Sequence, residues 1–164
     1  MNVDDPDELI VPAVQGAVNL LSSAKKYGTR VKRVVLTSSC TAIATPGTEG
    51  TTVDERDWNE WSIKEVRTKG REAHGLDKYR ASKTLSERAA WDWYEEHKQE
   101  LGWDIVVLNP SLVLGPWLHK TEKFTDLGQS LRFYHSVVVK GEMSKEVLAD
   151  MGCAARYRLT ELLC

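Results

Sequence analysis

Two short apolar runs, each preceded by a helical pattern, limit what this chain can fold into. Val34-Val35-Leu36 lies within residues 32–37, and Ile105-Val106-Val107-Leu108 follows Asp104. Neither run alternates polar with apolar residues, so neither reads as a strand with one wet face. Continuous apolar strands belong to parallel sheets covered on both faces, and parallel neighbours need a crossover, usually a helix. Residues 77–101 predict that helix, opening at Asp77 and closing at Gly102, with Ala81, Leu85, Ala89 and Trp93 at four-residue spacing.

A helix over residues 7–27 precedes the first strand, with Ile10, Val14, Ala17, Val18, Leu21 and Ala24 on one face. Proline is tolerated only in a first helical turn, so Pro12 places the start of the regular part near Val11. Lys25, Lys26 and Gly28 form a stop signal. Residues 45–76 hold Gly47, Gly50, Gly70, Gly75, Pro46 and charges of both signs around Trp58 and Trp61. They read as a long loop with one short helix, and ordered loops of that length are usually functional. A further helix is expected over 123–139, and a weaker helical pattern over 142–164 is interrupted by Gly152. The order helix, strand, loop, helix, strand, helix predicts an α/β fold. Two parallel strands leave unpaired edges, so such a sheet needs further strands or self-association through its edges.

Composition removes several function classes. Lys plus Arg is 22 against 24 Asp plus Glu, a net charge of −2. That balance argues against nucleic acid or an anionic membrane as partner. No apolar run approaches the roughly 18 residues of a membrane span, and the acidic start Met-Asn-Val-Asp-Asp-Pro is neither a signal nor a transit peptide. The three cysteines Cys40, Cys153 and Cys164 form no C-x-x-C, which points to a reducing cytoplasm rather than a disulfide framework or a zinc site. The histidines His74, His97, His119 and His135 lack metal-ligand spacing and read as surface positions. Ser39 has no G-x-S-x-G around it, which disfavours a serine hydrolase. Cys40 reads as a small buried residue.

The sharpest constellation is Tyr79-Arg80-Ala81-Ser82-Lys83. Residues four apart share a helix face, so phenol and ammonium can address one pocket. A neighbouring ammonium stabilises a phenolate and makes tyrosine a usable proton donor near neutral pH. Tyr94 and Lys98 repeat the interval about 22 Å further along the same helix, among Glu95, Glu96 and His97, and read as a solvated face. Position separates the pairs. Tyr79 lies in the first turns of its helix, while Thr37-Ser38-Ser39 and Asn109-Pro110-Ser111 end the two strands. Ligands of open parallel sheets bind outside those carboxyl ends. The competing reading is that the serines only cap the next turn. Ser39, Tyr79 and Ser111 are expected to cluster there.

Together, Asp5-Pro6, Leu9-Ile10-Val11-Pro12-Ala13-Val14-Gln15-Gly16, Val31-Lys32-Arg33-Val34-Val35-Leu36-Thr37-Ser38-Ser39, Tyr79 with Lys83, and Asn109-Pro110 with Leu114-Gly115-Pro116 resemble the extended short-chain dehydrogenase/reductases. The likeness is to the branch of dihydroflavonol 4-reductases and fungal aldehyde or methylglyoxal reductases. Trp58-Asn59 and Glu87-Arg88-Ala89-Ala90-Trp91 fit the fungal members, and the similarity runs from about residue 3 to about residue 150. This resemblance implies a Rossmann-like, doubly wound parallel sheet, and it implies roles: Tyr79 as proton donor, Lys83 as the group that tunes it and binds the nicotinamide ribose, Ser39 as the serine that bonds the substrate carbonyl. It also places Pro110, Ser111 and Leu112 at the nicotinamide end of the cofactor, with Ser130 as a looser match. The implied reaction is reduction of a ketone or aldehyde with NADP as cofactor, NAD being the alternative. The implied partner is a small carbonyl or alcohol substrate.

The chain departs from that pattern twice. None of its eleven glycines forms G-x-G-x-x-G or G-x-x-G-x-x-G, the turn that seats a pyrophosphate. Where relatives continue with an Asp-Val-Arg-Asp strand, this chain reads Cys153-Ala154-Ala155-Arg156-Tyr157-Arg158-Leu159-Thr160. The expectation is therefore an internal piece of a longer domain. It comprises a partial dinucleotide-binding domain over 1–150 and a divergent tail over 151–164, such as a truncated or shifted reading frame leaves, without the N-terminal βαβ unit or the C-terminal substrate lobe. The rival reading is a non-catalytic truncated remnant that is inactive and unstable or pairs with another chain.

Overall fold

The computed structural model describes residues 3–47, 51–111, 113, 120, 123 and 126–141. Helix α1 (Asp7–Tyr27), strand β1 (Arg33–Thr37), helix α2 (Glu60–Lys69), helix α3 (Gly75–His97) and strand β2 (Asp104–Leu108) follow one another, linked in part by single 3-10 turns at Cys40–Ala42, Gly70–Glu72 and Lys98–Glu100. Residues 1–109 form one compact unit and residues 110–164 a second. Within the second, helix α4 (Gln129–Tyr134) runs on as a π-helical turn over His135–Val139.

The strands are parallel neighbours in the register Val34↔Ile105 and Leu36↔Val107, and the ladder continues through Ser38 N–H to the Leu108 carbonyl at 2.8 Å. Ala17 and Leu21 of α1 and Ala90 of α3 meet Trp103 and Ile105 in one core, with Val34 and Leu36 packed against it. Both long helices therefore cover the same sheet face. The opposite face carries Val35 and Leu108, 55% and 40% exposed, so coverage of both faces is not met among the described residues. A second core joins Ile63 and Val66 of α2 to Ala73 and Ala81.

Several boundaries differ from expectation. Helix α1 has the expected bounds, Asp7–Tyr27, but it is regular before Val11 and holds Pro12 within it. The hydrogen bond that proline cannot make is to Glu8, and both residues are exposed, so the break faces outward. The residue after the helix is held to glycine: a Cβ on Gly28 would lie 2.5 Å from the Ala24 carbonyl oxygen, which the Gly28 amide bonds. Helix α3 opens two residues before Asp77, because the ring of His74 accepts the Leu76 amide at 3.3 Å. The expected short helix in 45–76 is α2, ten residues long. Of the helix expected over 123–139, the described part starts at Gln129, and the pattern over 142–164 lies outside the described residues.

One interaction was invisible in the sequence. Lys78 is 3% exposed, and its ammonium donates to the carbonyls of Val3 at 3.0 Å, Asp4 at 2.7 Å and Arg71 at 2.7 Å. Three donors meet three acceptors, which is what a buried charge requires. Lys78→Met is expected to leave those carbonyls without a donor, costing about 2 kcal/mol, or about 8 °C in Tm. Thermal unfolding followed by circular dichroism checks this. An unchanged Tm would show that the bonds add nothing over water.

Candidate functional site

The carboxyl ends of the two strands converge on a turn. After β1 the chain enters the 3-10 turn Cys40–Ala42, which packs against α3. Ser38, Ser39 and Cys40 are all buried. Ser39 is extended (φ −157°, ψ 148°) and caps the turn. Its Oγ accepts from the Thr41 amide at 3.3 Å and from Thr41 Oγ1 at 3.0 Å. The capping role weighed against catalysis is thus real, yet it occupies only the oxygen's lone pairs. A hydroxyl carries one donor beside two acceptors, and that donor is not used by these two bonds.

Tyr79 and Lys83 both lie on α3, half-buried, with the Lys83 Nζ 6.0 Å from the centre of the tyrosine ring. Among the described residues no hydrogen bond or ion pair engages the Tyr79 hydroxyl or the Lys83 ammonium. Nearby hydroxyls turn back on the helix instead: Ser82 Oγ donates to the Tyr79 carbonyl and Thr84 Oγ1 to that of Arg80. The control pair behaves otherwise. Lys98 is bound to Glu95 at 2.5 Å. Tyr94 is not the solvated residue expected: it is half-buried, edge-on to Trp91 and tilted on Trp103 at 6.4 Å. The aromatic side chains of the helix end close over the core, so burial won over exposure there.

The structure brings Tyr79 and Lys83 together on α3 and seats the Ser39 turn against the same helix. Pro110, Ser111 and Ser130 belong to the second unit, Ser111 exposed and Ser130 half-buried on α4. Leu112 lies outside the described residues. A cleft of about 400 Å³ opens elsewhere, lined by Ile10, Ile63, Val66, Ala81 and Leu85. Ala81 and Leu85 lie two and six residues beyond Tyr79, on the opposite side of α3. Beside this cleft, the Asp7 amide and then the Arg71 guanidinium hold the Asp5 carboxyl below its ordinary range. No group of three metal-ligating side chains occurs among the described residues. Cys40 is buried, as expected. His74 caps α3, and the half-buried His97 stacks on Trp93 at 4.3 Å.

Three residues that sequence reasoning did not assign to the site surround the serine turn. Asn59 is fully buried. Its amide nitrogen donates to the Thr41 carbonyl at 3.0 Å and its backbone N–H to that of Ala42 at 2.9 Å. Asn109, just past β2, donates to the Ser39 carbonyl at 3.1 Å and to Glu87 Oε2 at 2.7 Å. The sequence signals for Glu87 are its place in the Glu87–Trp91 run that resembles the fungal reductases and its register with Tyr79 and Lys83, at successive steps of four.

Comparison with known proteins gives the fold and the family. The chain is 39% identical over 132 residues to a ketoreductase of Aspergillus niger, covering 77% of this chain and 34% of that protein. It is 30% identical over 139 residues to an NADPH-dependent methylglyoxal reductase of Saccharomyces cerevisiae, covering 82% and 39%. Among solved structures it superposes on Gre2 from Candida albicans in complex with NADPH with a TM-score of 0.69 and 32% identity, covering 84% of this chain and 40% of that one. It thus spans about two fifths of the length of such relatives, and what it resembles is a part of a Rossmann-like reductase domain. A helix long and apolar enough to cross a membrane is absent among the described residues. Residues 1–148 match the model of the NAD dependent epimerase/dehydratase family, and the chain belongs to that family.

Proposed function

We propose that this chain carries the proton-transfer half of an NADPH-dependent carbonyl reductase. The observation that carries the reading is the Tyr79–Lys83 pair, half-buried and without partners among the described residues, on the helix that packs against the Ser39 turn. Two relatives support the cofactor: the yeast reductase is NADPH-dependent by name, and the Candida structure holds NADPH. Tyr79 and Lys83 fit the nicotinamide end of such a group, as a phenol and an ammonium on one helix face. When bound, NADPH supplies the hydride. Tyr79 donates its phenolic proton to the carbonyl oxygen as charge develops there. Lys83 opposes the negative charge left on the phenolate, and the Ser39 O–H donates a hydrogen bond to the same carbonyl oxygen, holding it in line. Substrates are small ketones or aldehydes, and a cytoplasmic location agrees with the cysteine content.

The test is a chimera in which residues 1–148 replace the matching segment of Candida albicans Gre2. It is expected to oxidise NADPH in the presence of a small aldehyde or ketone, methylglyoxal included. A folded chimera that binds NADPH yet turns over no carbonyl in a broad panel would overturn the reading. The 164-residue chain alone is expected to bind NADPH weakly. Its sequence has no glycine-rich turn at a helix N-terminus, where amides and the helix dipole would meet the pyrophosphate. Calorimetric titration checks this, and micromolar binding by a dispersed monomer would contradict it.

A further inference from the structure

Ser39 can act on a substrate only if its turn holds the hydroxyl still, and that turn has little to hold it locally. It is one 3-10 turn whose own bonds include Ala42 N–H to the Ser39 carbonyl, Ile43 and Ala44 N–H to that of Cys40, and the Thr41 contacts to Ser39 Oγ. Short 3-10 turns have poor hydrogen-bond geometry of their own. Beyond these bonds and the packing of the turn against α3, two asparagines distant in sequence reach it. We propose, on the reading that Ser39 bonds a substrate carbonyl, that Asn59 and Asn109 are positioning residues that clamp this turn from its two ends, with Glu87 orienting Asn109.

The two ends are held differently. At the far end, Asn59 does two jobs at once: its Oδ1 accepts the Ser62 amide at 3.0 Å and caps α2, while its Nδ2 reaches the Thr41 carbonyl. Its backbone N–H adds the bond to Ala42, so the start of α2 is tied directly to the turn. At the near end, the two hydrogens of Asn109 Nδ2 go to the Ser39 carbonyl and to Glu87 Oε2. Glu87 is 4% exposed on α3. A carboxylate that accepts one hydrogen of a primary amide fixes the direction of the other, so Glu87 aims Asn109 at Ser39. Glu87 stands one step of four beyond Lys83 and two beyond Tyr79 on the same helix. The serine turn is thereby referenced to the helix that carries the proton donor.

Asn59→Asp separates the two functions of Asn59. Aspartate keeps an oxygen to cap α2 but has no hydrogen to give the Thr41 carbonyl. In the full 164-residue chain, amide exchange at Thr41 and Ala42 is expected to quicken about tenfold, the factor lost with about one hydrogen bond, while Leu21 and Ala90 in the core are unchanged. Asn109→Leu is expected to do the same. Glu87→Gln retains an acceptor for Asn109 and is expected to leave Thr41 within about twofold of the parent, less than half a hydrogen bond. In the chimera, Asn59→Asp is expected to lower kcat about tenfold with the KM for NADPH unchanged. Unchanged exchange at Thr41 in both asparagine variants, or equal acceleration at Leu21 and Ala90, would overturn the clamp. A chimera inactive with both asparagines intact would sink the reductase reading, while the exchange result still decides the clamp.

Discussion

Tyr79→Phe in the chimera is expected to lower kcat for carbonyl reduction at least about 100-fold, the scale of one lost general acid, while NADPH binds within about twofold. The phenylalanine ring occupies the same half-buried position on α3, so the fold and the Lys83 approach survive. Only the hydroxyl is lost. Tyr94→Phe provides the contrast, because Tyr94 packs by its ring against Trp91 and Trp103, and kcat is expected to stay within about twofold, since proton transfer does not pass through it. Equal losses from the two substitutions would show that the pair at the start of α3 is not the proton donor. A loss of NADPH affinity matching the loss of kcat would assign Tyr79 to binding instead.

Leu21→Ala is expected to have the largest effect on stability. Leu21 is 1% exposed and sits where α1, α3 and the sheet meet, against Ala90, Trp103 and Ile105. Its neighbours are an alanine, an aromatic ring and a strand residue, which cannot collapse into the space left by an isobutyl group. The expected cost is about 3 kcal/mol, or about 12 °C in Tm for a unit of this size. The control is Leu20→Ala: Leu20 is 50% exposed, so Tm is expected to move by less than about 2 °C. Similar drops in both variants would place the core elsewhere.

The limits of sequence reasoning fall along the line between local and distant interactions. The two strands, their parallel pairing and the long helices were legible because each rests on residues close in sequence: apolar runs, four-residue spacing, and cations before Gly28. Tyr79 and Lys83 were legible for the same reason, since one helix turn brings them together. The helix over 7–27 was legible too, but its regular part was placed too late, near Val11, because the cost of Pro12 depends on whether the unmade bond to Glu8 faces outward. Tyr94 was misjudged because helical spacing says which side chains share a face but not what covers that face, and here Trp103 does.

What the chain's own sequence determined is the α/β order, the family, and the placement of Tyr79 and Lys83 one helical turn apart. Only the tertiary structure decided that Lys78 is buried on three carbonyls, two from the distant Val3 and Asp4 and one from Arg71. It alone showed that the Ser39 hydroxyl caps a turn through the Thr41 amide, and that Asn59, Asn109 and Glu87 meet around that turn. These groups lie 18 to 70 residues apart along the chain. A hydrogen bond depends on the distance and direction of its atoms and on whether water competes, and at such separations those are set by how the helices pack on the sheet.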